Sequence, residues 1–128
     1  MLLDPLSPSG AGRYRTAAFD HLSDSPAPAQ ERIASPNAIL VFDGLFLHRP
    51  ELRDYWDVSI FLDAPFEITV PRGAARAPSF SDPDPAASSN RRYVEGNLIY
   101  LREAAPRERA AIVIDHSDLR HPRVVSWR

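Results

Sequence analysis

The sequence predicts an α/β protein with a mainly parallel sheet and helices on the sheet faces, and three observations lead there. Three short apolar runs each end on an aspartate: Ala38-Ile39-Leu40-Val41-Phe42 before Asp43, Val58-Ser59-Ile60-Phe61-Leu62 before Asp63, and Ala111-Ile112-Val113-Ile114 before Asp115. Helix-compatible stretches lie between them, so the order reads strand, helix, strand, helix, strand. The length of 128 residues, with 44% hydrophobic and 25% charged residues, suits one globular domain, 1–128, and leaves no room for a second.

Taken in order, the first third is punctuated by Pro5, Pro8, Gly10, Gly12, Pro26, Pro28 and Pro36, with a β-compatible run over 13–19 that reads as an edge strand or extended loop. The run 38–42 is the clearest strand, continuous enough to be buried on both faces. Pro50 at a first helical position, followed by Glu51, predicts a short helix or helical turn to about Trp56. A second strand follows over 57–63. Pro65 then opens a helix to about Arg76, which Pro71 is expected to kink or shorten. Residues 78–90 are nearly all Ser, Pro, Asp and Ala, too polar to pack, and read as a flexible, lid-like loop. A longer helix over about 91–104 carries an incomplete apolar stripe of Tyr93, Leu98, Tyr100 and Leu101, weakened by Gly96. The third buried strand, 111–115, precedes a polar tail.

Composition excludes several functions. There is no cysteine, hence no disulfide, thiolate nucleophile or cysteine metal site. All 15 basic residues are arginine, and the net charge of -2 offers no basic surplus, which disfavours a nucleic-acid partner. No apolar run is long enough to span a membrane, and the start lacks a basic leader, so the expected location is cytoplasmic with no membrane partner.

In open α/β sheets ligands bind beyond the carboxyl ends of the strands, where Asp43, Asp63 and Asp115 stand. A carboxylate there holds hydrated magnesium or, alternatively, caps the turn after its strand. Asp-Gly after a fully apolar strand makes Asp43 the candidate metal residue. Arg72 and Arg76 before the 78–90 loop, and Arg91 and Arg92 after it, flank a segment that can close over a phosphoryl group, which guanidinium grips bidentately; the alternative is a solvated helix face. Tyr14, Phe19, Tyr93 and Tyr100 are candidates to stack on a base, or simply to pack. His21, His48, His116 and His121 show neither metal spacing nor a triad order.

Together, Val41-Phe42-Asp43-Gly44-Leu45-Phe46, Arg49-Pro50-Glu51-Leu52-Arg53-Asp54-Tyr55-Trp56-Asp57, Ser59-Ile60-Phe61-Leu62-Asp63, Arg92-Tyr93, Tyr100 and Ala111-Ile112-Val113-Ile114-Asp115 form an ordered series. It resembles the later half of uridine-kinase-like proteins, in the uridine kinase and phosphoribulokinase branch of the P-loop kinases, over about residues 2–125. The resemblance implies ATP-dependent phosphorylation of a nucleoside hydroxyl, with magnesium bridging the phosphates. By position it implies Asp43 near the metal, Arg72 and Arg76 as lid-side arginines neutralising the moving phosphate, and Arg92 and Tyr93 in the segment returning from the lid. Tyr14 and Phe19 fall in the hairpin region that contacts the nucleoside.

Departures from that pattern are equally specific. No Gly-x-x-x-x-Gly-Lys-Ser/Thr loop occurs, and without lysine the residue bridging the β- and γ-phosphates is missing. Pro71, Gly73, Ala77 and Glu95 also depart from the family's usual residues. The expected fold is therefore an incomplete P-loop kinase-like sheet, inactive alone, that self-associates or joins a complementing P-loop chain. A second reading is a non-catalytic module that binds a phosphorylated metabolite.

Overall fold

The computed structural model describes residues 3–7, 9–16, 19–20, 23–26, 30–76 and 82–128. The chain divides into two compact units, Met1–Gly44 and Leu45–Arg128.

In the first unit a single helical turn, α1 (Leu3–Leu6), leads into β1 (Arg13–Arg15), which pairs antiparallel with β4 (Glu31–Ile33). The entry depends on glycine. Gly12 has φ +70° and donates its N–H to the Pro5 carbonyl at 2.8 Å, while a Cβ at Gly10 would collide with that same carbonyl. Arg13 and Glu31, at the two ends of the paired register, form an ion pair at 2.7 Å. A second small ribbon joins β2 (Phe19–Asp20) to β3 (Ser25–Pro26).

The run 38–42 corrects the sequence reading. Expected as a buried strand, it forms none, and Ile39 and Val41 are 89% and 88% exposed. Side-chain propensity makes a segment compatible with a sheet, but a strand exists only where a neighbour takes its N–H and C=O groups. No described strand does so here.

The second unit carries the α/β character. Its sheet runs β5 (Ile60–Asp63), β6 (Ile112–Asp115), β7 (Arg123–Trp127), with β5 and β6 parallel and β7 antiparallel to β6. The central strand is the best buried: Val113 is 1% exposed. The segment read as a polar tail is thus a strand, whose Val124, Ser126 and Trp127 take up register with Ile114, Val113 and Ile112 across a bulge. Of the short helix or helical turn expected after Pro50, the structure forms the turn: residues 50–52 are in turns and Arg53–Tyr55 is one 3₁₀ turn.

Two helices connect the parallel strands. α2 (Phe66–Arg76) buries Val70 and Ala74, and Pro71 does not shorten it. Pro71 removes one hydrogen bond to the carbonyl of Glu67, an exposed residue whose carbonyl water can reach. α3 (Arg91–Ala104) is followed by the single turn α4 (Pro106–Arg109). Ala105 joins them in the left-handed region, at φ 43°. Since that conformation costs a non-glycine residue about 1–2 kcal/mol, Ala105→Gly is expected to stabilise the unit by about 0.5–1 kcal/mol after the entropy of a freer unfolded chain is counted. An unchanged or lower melting temperature would contradict that geometry.

Only one face of this sheet packs inward. Phe61 and Val113 lie on it in register, and the buried apolar residues described in this unit are Val113 with Val70, Ala74, Ala104, Pro106 and Ala110. The opposite face presents Ile60, Leu62, Ile112, Ile114, Val124 and Trp127, of which Ile60 and Leu62 are each 54% exposed and Trp127 76%. Sheets with parallel strands are almost always covered on both sides.

Candidate functional site

At the carboxyl ends of the parallel strands, Asp63 and Asp115 stand side by side in register. Each is already engaged: Asp63 pairs with Arg107, and Asp115 pairs with Arg123 at 2.7 Å and accepts the Ser117 N–H at 3.0 Å. Those bonds, the Ser117 N–H first and the Arg123 guanidinium next, hold the Asp115 carboxyl at about 2. Asp115 thus caps the turn after its strand, whereas the Asp63 carboxylate is taken up by an ion pair with Arg107.

Arg72 lies in the second half of α2 and turns its guanidinium onto the loop leaving β6. Its two terminal nitrogens donate to the carbonyls of His116, at 2.7 Å, and Ser117. A fork that could grip phosphate thus grips two backbone carbonyls. Arg76 ends α2 and is exposed. Arg92 is exposed in the first turn of α3, beside Arg91, which is tied to Glu95 at 2.8 Å. Arg92, Arg91 and Ser88 line a shallow groove of about 500 Å³ along α3 with Glu95, Gly96 and Ile99. No hydrogen-bond partner among the described residues is shared by Arg72, Arg76 and Arg92.

Tyr93 meets Phe66 edge-on, with ring centroids 6.3 Å apart, which fastens the start of α3 to the start of α2. In the first unit, Tyr14 sits on β1 opposite Arg32, and Phe19 on β2 is 55% exposed. Of the 78–90 loop, 82–90 are described: Asp82 and Asp84 accept backbone N–H groups two residues on, and Asn90 donates to the carbonyls of both. Polar side chains that cannot build a core here satisfy backbone instead.

The other end of the sheet holds a constellation that sequence spacing does not reveal. His48 is the buried polar side chain of the described core, at 6% exposure. Its Nε2 lies 3.0 Å from Ser59 Oγ, its Nδ1 3.3 Å from the Tyr100 hydroxyl, and its backbone N–H donates to that hydroxyl at 3.2 Å. Phe46 meets the Tyr100 ring edge-on at 5.0 Å, and Trp56 Nε1 donates to the Leu47 carbonyl at 2.8 Å. Burial, and then the nearby Arg109, lower the His48 pKa, so the ring is neutral at pH 7. Burial likewise raises the Tyr100 hydroxyl. A cleft of about 680 Å³ opens beside this group, at the amino ends of β5 and β6, and Ser59, Trp56, Arg53, Arg109 and Arg128 line it. His48 and Tyr100 are 52 residues apart in sequence, so no local pattern could have joined them.

The described residues do not by themselves make a magnesium–ATP site. Asp43 offers one exposed carboxylate, no group of three or more metal-ligating side chains occurs among the described residues, and a Walker lysine is absent from the sequence. No described helix is long and apolar enough to cross a membrane. What the fold and sites define is the class: an α/β unit with a three-stranded mixed sheet, preceded by a small unit of two-stranded ribbons. No family model matches the chain, and neither the curated proteins nor the solved structures include a match.

Proposed function

We propose that these residues are the later part of a uridine-kinase-like P-loop fold, which takes part in ATP-dependent phosphoryl transfer to a nucleoside only when a phosphate-loop element outside them completes the sheet. The observation that carries this reading is the uncovered sheet: an apolar face bearing Ile60, Leu62, Val124 and Trp127, and a parallel strand, β5, at the open edge. A sheet of this kind gains by burying that face, at roughly 25 cal/mol per Å² of apolar surface. The ordered series from Val41 to Asp115 supports the family, and the missing lysine supports inactivity alone.

Mixing the chain with a separately produced P-loop-bearing half of a uridine-kinase-like protein tests the proposal. Expected are a blue shift of Trp127 emission, as its exposed indole is covered, and phosphate transfer from ATP to uridine that neither half performs alone. Unchanged emission together with no transfer, from two folded partners, would remove the reading. A second reading, a non-catalytic module for a phosphorylated metabolite, is favoured by the arginine-bearing groove along α3. Saturable nucleotide binding without turnover in the mixture would select it.

A further inference from the structure

We infer that the cleft beside His48 is a binding site for a phosphate monoester with an apolar body, independent of whether the sheet is completed. It lies at the amino ends of β5 and β6, whereas the site implied for phosphoryl transfer lies at their carboxyl ends.

The cationic side is selective in what it leaves unused. Arg53 lies 3.6 Å from Asp54, and Arg128 donates to the carbonyls of Arg107 and Ala110, at 3.3 and 3.0 Å. The Arg109 guanidinium makes no hydrogen bond or ion pair among the described residues, although it is close enough to His48 to disfavour protonation of the ring. An uncommitted planar fork at a cleft wall suits a phosphate or carboxylate oxygen pair. Ser59 adds a hydroxyl fixed in place, because His48 Nε2 holds it from behind and the Tyr100 hydroxyl in turn holds His48 Nδ1. Its remaining hydrogen-bonding capacity points to a ligand in the cleft.

Size and shape add the rest. A volume of about 680 Å³ is far more than a bare phosphate fills and falls in the usual range for small-molecule sites. Trp56 supplies an apolar wall whose indole is anchored by its bond to Leu47. Asp54 and Asp57 also line the cleft and set its limits. Two carboxylates repel an extended polyanion but leave room for one phosphate at Arg109, with the apolar body directed to Trp56.

Titration calorimetry with inorganic phosphate and with phenyl phosphate, on the full chain, tests the inference. Phenyl phosphate should bind saturably and at least 10-fold more tightly than inorganic phosphate. Arg109→Gln, an exposed change that leaves the fold intact by circular dichroism, should weaken phenyl phosphate binding at least 10-fold, and Arg102→Gln on the outside of α3 should not. Ser59→Ala should weaken it by a smaller factor. Equal affinity for the two probes means that free phosphate, not a monoester, is the ligand and overturns the apolar-body assignment. No binding to the folded chain, or binding that survives Arg109→Gln and is lost in Arg92→Gln, overturns the site.

Discussion

Replacing Arg72 by alanine is expected to destabilise the second unit by about 2–3 kcal/mol, because two charge-assisted bonds to backbone carbonyls disappear together and leave those carbonyls part-buried. For a unit of this size such a loss lowers the melting temperature by roughly 10 °C or more. Arg72→Lys should recover only part of it, since a single ammonium cannot fork to both His116 and Ser117. Arg92→Ala, by contrast, should stay within about 0.5 kcal/mol of the parent, as exposed substitutions usually do. Read from sequence, Arg72 belongs to catalysis, and its removal should cost turnover more than stability. The geometry reverses that order. An Arg72→Ala chain that melts with the parent would return the residue to the candidate phosphate-handling group.

The second large effect is a pH dependence centred on His48. Burial and then Arg109 lower its folded pKa below the ordinary 6.5, so the unfolded chain binds a proton more readily than the folded one. The stability tied to the neutral ring is therefore complete above about pH 6.5 and is lost as pH falls from there through the lower folded value. Denaturant unfolding at pH 7.5 and pH 5.5 should show this fall in the parent and a smaller one in His48→Gln, which has no ring to titrate. Tyr100→Phe should cost about 1–2 kcal/mol at the higher pH, because both the Nδ1 and the backbone N–H of His48 lose their partner. If His48→Gln follows the same pH curve as the parent, the ring does not titrate across folding and its buried setting is wrong.

What could be read from the chain, and what could not, divides along a physical line. Helix α3 falls at 91–104 as expected, and α2 at Phe66–Arg76, because helices form from contacts three and four residues apart and those contacts are written locally. The strand over 112–115 was equally legible, since its unbroken apolar run Ile112-Val113-Ile114 ends on Asp115 and its middle residue, Val113, is buried. The run 38–42 has the same composition yet forms no strand, because a strand also needs a partner that composition cannot specify. Strand β7 hid for the opposite reason: Arg123 and Ser126 make it look polar, while Ala111, Ile112 and Val113 recruit it to the open side of β6. Among site residues, the aspartates after the strands were visible as a pattern, but only three-dimensional pairing with Arg107 and Arg123 decides their role. His48 needed Ser59 and Tyr100, 11 and 52 residues away, before it meant anything.

The bulge in β7 gives the sheet a direction. Where Val113 and Ile114 step from Ser126 to Val124, the extra residue, Val125, breaks the even spacing of N–H and C=O groups along the outer margin. Arg123 adds a charge at the same border. A further strand meets poor register there, whereas β5 offers an unbroken row from Ile60 to Asp63. A strand added to this sheet would therefore pair at β5 rather than at β7, and two copies meeting through β5 would close on each other instead of seeding a fibre.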